Sequence, residues 1–165
     1  GENWCKYYNE RYGTDVRSIR FPGVISYNTL PGGGTTDYAN DIFHSFKSGK
    51  NYNCYLKENT TLPMIYIDDA VNGIVKLMDS PKDNLRIKSS YNISGFSTSP
   101  KMIAEELKNI NKEFKVEFKS DFRQIIADSW PNSIKDKYAR EDWDWKENFD
   151  LKKTVKEMIS KLNIR

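Results

Sequence analysis

An α/β fold is predicted for this chain of 165 residues, on three observations. Short runs of strand formers alternate with segments of helical periodicity, the order expected of an α/β or mixed α+β architecture. One run, residues 15–21, carries Val16, Ile19 and Phe21, ends in Pro22-Gly23, and alone reads as a member of a central parallel sheet. After it comes Pro31-Gly32-Gly33-Gly34-Thr35-Thr36-Asp37, which brings two hydroxyls and a carboxylate to a helix start. Binding sites at the mouth of α/β sheets are built this way, because glycine lets backbone approach a ligand closely.

The elements follow in order. The opening residues already read as the middle of a helix, with Trp4, Cys5, Tyr8 and Tyr12 on one face and no capping residue ahead of them. This predicts a chain that starts inside an element, as a fragment would. Gly13 supplies a stop, residues 15–21 a strand, and residues 22–35 a loop too rich in Pro and Gly for regular structure. Tyr38, Ile42, Phe43 and Phe46 mark a helix over 36–47, and short strands are expected over 53–56 and 63–67. Asp68 is placed as the cap of a helix carrying Val71, Ile74, Val75 and Met78, which Pro81 stops. Residues 89–94 read as a strand. Ser99-Pro100 starts a helix buried through Met102, Ile103, Leu107 and Ile110. Strict alternation of Phe114, Val116 and Phe118 with charged residues predicts a half-exposed edge strand over 113–119. A short helix is expected over 121–127, a capping box from Ser133 and Asp136, and a last helix begun by Asp150 with Leu151, Val155, Met158, Ile159 and Leu162 inward.

Composition narrows the function. Aromatic content of 13% suggests rings that fill crevices or line a pocket, and a net charge of +3, from 26 basic and 23 acidic residues interspersed along the chain, argues against nucleic acid or an anionic membrane as partner. Cys5 and Cys54 are too few for a disulfide scaffold, and with the single His44 they suggest neither zinc nor another metal. A reducing compartment follows. No stretch reaches the roughly 20 apolar residues of a membrane span.

Six motifs then carry a resemblance. Arg20-Phe21-Pro22-Gly23-Val24-Ile25-Ser26, Pro31-Gly32-Gly33-Gly34-Thr35-Thr36-Asp37-Tyr38-Ala39, Tyr66-Ile67-Asp68-Asp69-Ala70, Ser90-Tyr91-Asn92-Ile93-Ser94-Gly95, Phe122-Arg123-Gln124 and Ala127-Asp128-Ser129-Trp130-Pro131 occur in this order. Together they resemble the C-terminal half of the short-chain, epimerase-like L-threonine 3-dehydrogenases. The resemblance covers essentially the whole chain. It implies the C-terminal part of an extended short-chain dehydrogenase, an NAD(P)-binding Rossmann-like fold: residues 1–35 as a remnant of the NAD-binding domain, and 36–165 as a small mixed α+β substrate-binding lobe. It further implies NAD as cofactor, oxidation of L-threonine to 2-amino-3-oxobutanoate in threonine catabolism, a homodimer of the full-length enzyme, and a cytoplasmic or, in a eukaryote, mitochondrial-matrix location.

The family's Tyr-x-x-x-Lys proton acceptor is not in this sequence. No tyrosine is followed four places later by lysine, Tyr7 with Arg11 being nearest, and no G-x-x-G-x-x-G follows a strand to hold a pyrophosphate. The resemblance therefore assigns no catalytic residue here and implies that the chain alone is inactive. On the substrate side it assigns Thr35 and Thr36 to a loop over the amino acid, Asp37 to the ammonium group and Trp130 to the pocket wall. Pro22, Gly23, Val24 and Ile25 are assigned to the loop passing the nicotinamide ring.

Each assignment has a structural counterpart: helix capping for Thr36 and Asp37, core packing for Trp130, an N-cap and first-turn charge for Asp68 and Asp69, and packing around the last helix for Tyr138, Trp143 and Trp145. His44 reads as structural or exposed. Two other functions are compatible with the residues. A nucleotide-sugar epimerase or dehydratase could draw on Lys57, Arg86 and Arg123, and a non-catalytic interaction module could use an exposed apolar face.

Overall fold

The computed structural model describes residues 1–163, so the last two residues of the 36–165 lobe lie outside the described residues. The first helix, α1 (Glu2–Tyr12), stops at Gly13, whose φ of 68° only glycine adopts without strain. Strand β1 (Ile19–Arg20) is shorter than its apolar pattern suggests. A second strand, β2 (Gly23–Ile25), follows directly, where Pro22-Gly23 predicts loop. The proline only begins it, and its three residues find partners far along the chain. A 3₁₀ turn (Thr35–Asp37) leads into α2 (Tyr38–Lys47), followed by β3 (Tyr52–Cys54), β4 (Leu62–Tyr66) and α3 (Ile67–Asp79). Next come β5 (Tyr91–Asn92), β6 (Phe96–Thr98), α4 (Pro100–Ile110), β7 (Val116–Phe118), α5 (Arg123–Asp128), α6 (Lys137–Trp143) and α7 (Leu151–Lys161).

The strand pairing is richer than one parallel member. β1 pairs with β5, β2 with β4 and β3 with β7, all in parallel, while β6 joins β4 antiparallel. Parallel partners need crossover segments, which is why no local signal revealed them. Gly95 leads into β6 and lies against β4, its N–H donating to the Met64 carbonyl at 3.2 Å, and a Cβ there would sit 2.8 Å from that oxygen.

Two apolar clusters hold these elements. One packs α2, α4 and α7 around Ile25, Phe43, Leu62, Ile103 and Met158. The other packs α3 and α6 against Ile65, Ile93 and Trp145, with Ile19 and Val24 at its margin. Burial of one such side chain contributes about 1.5–3 kcal/mol. The apolar stripes of two helices stay uncovered: Trp4, Tyr8 and Tyr12 on α1, and Val71, Ile74, Val75 and Met78 on α3, are exposed.

Several caps and contacts differ from expectation. Ser99 caps α4 and Asp150 caps α7 as expected, their side chains accepting from the Met102 and Lys153 amides. On α4, Ile103 and Leu107 are buried, but Met102 and Ile110 are exposed. Asp68 caps nothing, since α3 begins at Ile67 and the Asp68 carboxylate pairs with Lys161 at 3.1 Å. Asp69 is buried, and accepts the amides of Asn148 and Phe149 together with the Asn148 side-chain amide. Asp136 forms no capping box and instead pairs with Arg140. Trp143 and Trp145 pack against β5 and α3 rather than the last helix, whereas Tyr138 is exposed beneath the Arg86 guanidinium.

One buried carboxylate gives the fold a pH dependence. Asp142 joins α6 to the 85–91 segment, accepting from the Arg86 amide and guanidinium and from the Tyr91 hydroxyl at 2.6 Å. Burial pushes its pKa up, but Arg86 and Tyr91 outweigh burial and hold it below the usual aspartate range. A pKa depressed by folding stabilises above the unfolded value of about 4 and stops doing so as pH falls through the folded value. In chemical denaturation, the advantage of the native protein over Asp142→Asn is therefore constant near neutrality and shrinks below about pH 4. An advantage unchanged down to about pH 2 would contradict this.

Candidate functional site

The Pro22 turn, the Thr35–Asp37 turn and the segment after α5 converge on a cavity of about 320 Å³ lined by Pro22, Gly23, Thr36, Leu62, Trp130 and Ile134. Gly23 is there because nothing larger fits. A Cβ on it would lie 2.5 Å from the Met64 sulfur and 2.9 Å from the Thr36 methyl, so backbone and threonine meet in direct contact. Opposite stands Trp130, 42% exposed, its backbone N–H bonded to the Ala127 carbonyl at the end of α5. Such partial exposure makes it a wall of the cavity rather than part of the core.

Of the residues assigned to a ligand, the structure thus brings Pro22, Gly23, Thr36 and Trp130 together at one cavity. Thr35 is buried and does not line it. Ile25 lies wholly in the first apolar cluster and Val24 packs against the second, so neither lines the cavity. Asp37 caps the glycine loop instead of α2: its Oδ2 accepts the amides of Gly32 at 2.8 Å and Gly34 at 2.9 Å. Its Oδ1 has no partner among the described residues.

Around this loop lies an electrostatic shell that sequence reasoning missed. The Tyr55 hydroxyl donates to the Gly34 carbonyl at 2.9 Å, and Arg123, stacked on the Tyr55 ring, donates to the Gly33 carbonyl at 3.3 Å. Burial pushes the Tyr55 phenol well above its usual range, so it stays a donor at every physiological pH. The signal was the Phe122-Arg123-Gln124 motif, whose target was not readable from spacing. Of the three cations that a nucleotide sugar could engage, Arg86 is tied to Asp142 and Glu141, and Arg123 to Asp121. Only Lys57 has no ion pair among the described residues.

His44 follows Asp41 by one turn of α2, and its Nε2 is buried without a hydrogen-bond partner among the described residues. No group of three or more metal-ligating side chains occurs among them, and no helix of theirs is long and apolar enough to cross a membrane.

The chain is 44% identical over 156 residues to the L-threonine 3-dehydrogenase, mitochondrial, of Bos taurus, covering 94% of this chain and 42% of that protein. It superposes on the GalE-like L-threonine dehydrogenase of Cupriavidus necator with a TM-score of 0.96 and 47% identity, covering 98% of this chain and 58% of that one. For the L-threonine dehydrogenase of Clostridium difficile the values are 0.95 and 45%, with coverage of 98% and 51%. A UDP-glucuronic acid 4-epimerase of Bacillus cereus, at 17% identity and a TM-score of 0.76, shares the fold. The chain spans about half the length of the curated relatives it matches. Residues 1–94 match the model of the NAD dependent epimerase/dehydratase family, and it is to this family, with its Rossmann-like α/β fold, that the chain belongs.

Proposed function

We propose that this chain is the substrate-side half of an NAD-dependent L-threonine 3-dehydrogenase, which converts L-threonine to 2-amino-3-oxobutanoate. One observation carries the reading: Thr36, Trp130 and the Pro22-Gly23 backbone share a small cavity, next to a carboxylate with one unpartnered oxygen. The names of the relatives point the same way. A cavity of about 320 Å³ suits an amino acid and is small for a nucleotide sugar.

In this reading the Thr36 hydroxyl offers a hydrogen bond to the substrate. Asp37 Oδ1 meets the ammonium, whose burial without a partner would cost several kcal/mol. Trp130 excludes water from one side. The Pro22-Gly23 backbone passes the nicotinamide end of the cofactor, with Val24 and Ile25 holding that strand from the two cores. NAD held there would supply the acceptor for the hydride of the substrate carbon. The residues here fit only that end of it, because the sequence has no G-x-x-G-x-x-G turn between a strand and a helix to bind a pyrophosphate. The hydroxyl proton likewise needs an acceptor that this chain does not supply, so we expect the 165 residues alone to be inactive. Residues 1–35 side with the nucleotide-binding domain and 36–165 with the substrate lobe. The uncovered aromatic face of α1 suits pairing into a homodimer, in the cytoplasm or the mitochondrial matrix.

Steady-state kinetics of the full-length enzyme test the cavity. Trp130→Ala and Thr36→Val are expected to raise KM for L-threonine about tenfold each, the scale of one lost hydrogen bond or apolar wall, with KM for NAD unchanged. An unaltered threonine KM in both variants would remove the cavity from the reaction.

A further inference from the structure

We propose that Arg123 is a positioning residue of this pocket: by fastening the glycine loop it fixes the Asp37 carboxylate with one oxygen open to a substrate ammonium. The inference rests on the amino-acid reading above and adds a residue that does not touch the ligand. Residues 31–34 form no regular structure, and Gly33 has a φ of 87°, so the loop has little order of its own. Fixing such a segment is opposed by the conformational entropy of every residue in it.

Five hydrogen bonds hold it. The amides of Gly32 and Gly34 donate to Asp37 Oδ2, while the Gly33 carbonyl accepts from Arg123 and the Gly34 carbonyl from Tyr55 and, at 3.1 Å, from the Asp37 amide. The two sets act on the same three glycines from opposite chemical sides. If the carbonyls are released, the peptide planes can rotate and the amides no longer direct the carboxylate.

Arg123 is itself built in. Its guanidinium carbon lies 3.2 Å from the Tyr55 ring centroid, its Nε and Nη2 donate to Asp121 at 3.1 and 2.6 Å, and its side chain is only 19% exposed. A planar fork can stack, pair with a carboxylate and still spare an N–H for a carbonyl, which lysine cannot do. With Asp121 neutralising it, Arg123 acts through geometry rather than as a free charge offered to an anion.

The test compares L-threonine with 3-hydroxybutanoate, which keeps the alcohol and carboxylate but lacks the ammonium. In the full-length enzyme, Arg123→Met is expected to lower kcat/KM for threonine about tenfold, the scale of a hydrogen bond to a charged group, and to change 3-hydroxybutanoate by less than about threefold, with KM for NAD unmoved. Arg123→Lys recovers part of the loss. In the same variant the Gly32 and Gly34 amides exchange with solvent about tenfold faster. Equal losses on both substrates, or unaltered amide exchange in an active enzyme, would overturn the positioning role. A native enzyme that leaves threonine untouched would overturn the parent reading instead, whatever the amides do.

Discussion

Replacing Asp69 with alanine is expected to cost about 3–5 kcal/mol of stability, enough to leave the protein largely unfolded at physiological temperature. The carboxylate is 1% exposed and lies at the start of α3, where the helix dipole favours a negative charge. It accepts the Asn148 amide at 3.0 Å, the Phe149 amide at 2.9 Å and the Asn148 side-chain amide at 3.1 Å. Those donors direct the chain from Trp145, in one apolar cluster, toward α7, in the other. Removing the acceptor strands the donors away from water, at about 1–3 kcal/mol for each left unsatisfied. Asp69→Asn keeps the shape and one acceptor, so it should be milder. Urea denaturation of the two variants checks this, and a loss below about 1 kcal/mol for Asp69→Ala would refute the anchoring role.

Gly23→Ala is expected to strike the fold and the site together. The added methyl meets both the Met64 sulfur and the Thr36 side chain inside normal contact distance. The methionine can swing aside; Thr36, fixed at the mouth of α2, cannot do so without moving the turn it belongs to. Overpacking of this kind costs about 1–3 kcal/mol. The displaced hydroxyl should in addition lower threonine kcat/KM in the full-length enzyme by about a hundredfold, as small misplacements in reacting complexes do. A folded variant with native kinetics would show that Gly23 and Thr36 need not touch. Gly73, whose added methyl would meet the tips of Ile93 and Trp145 at 3.0 and 3.2 Å, offers a control that strains the core away from the cavity.

How much of this was legible depended on the range over which each residue acts. Periodicity and local caps were enough for α2, α4 and α7, because Ser99 and Asp150 bond amides three residues ahead. β2 was hidden by its Pro-Gly start and by a partner strand about forty residues away. Asp69 looked like a first-turn charge because its partners lie about eighty residues on. The stripe of Val71, Ile74, Val75 and Met78 shows where α3 is apolar, not that anything covers it. At the site, the glycine loop and Trp130 were readable through the family motifs. Asp37, Tyr55 and Arg123 were not readable as one fastening, since nothing in their spacing reveals that three separated segments converge on the same peptide groups.

The most direct measurement is turnover by the full-length enzyme, read as NADH formation with L-threonine and as product chromatography with UDP-glucose or UDP-glucuronate, since an epimerase returns its hydride and leaves no net NADH. The account predicts NAD reduction with threonine, no product from either UDP-sugar, and no turnover by the 165-residue chain alone. Conversion of a UDP-sugar with threonine left untouched would contradict it.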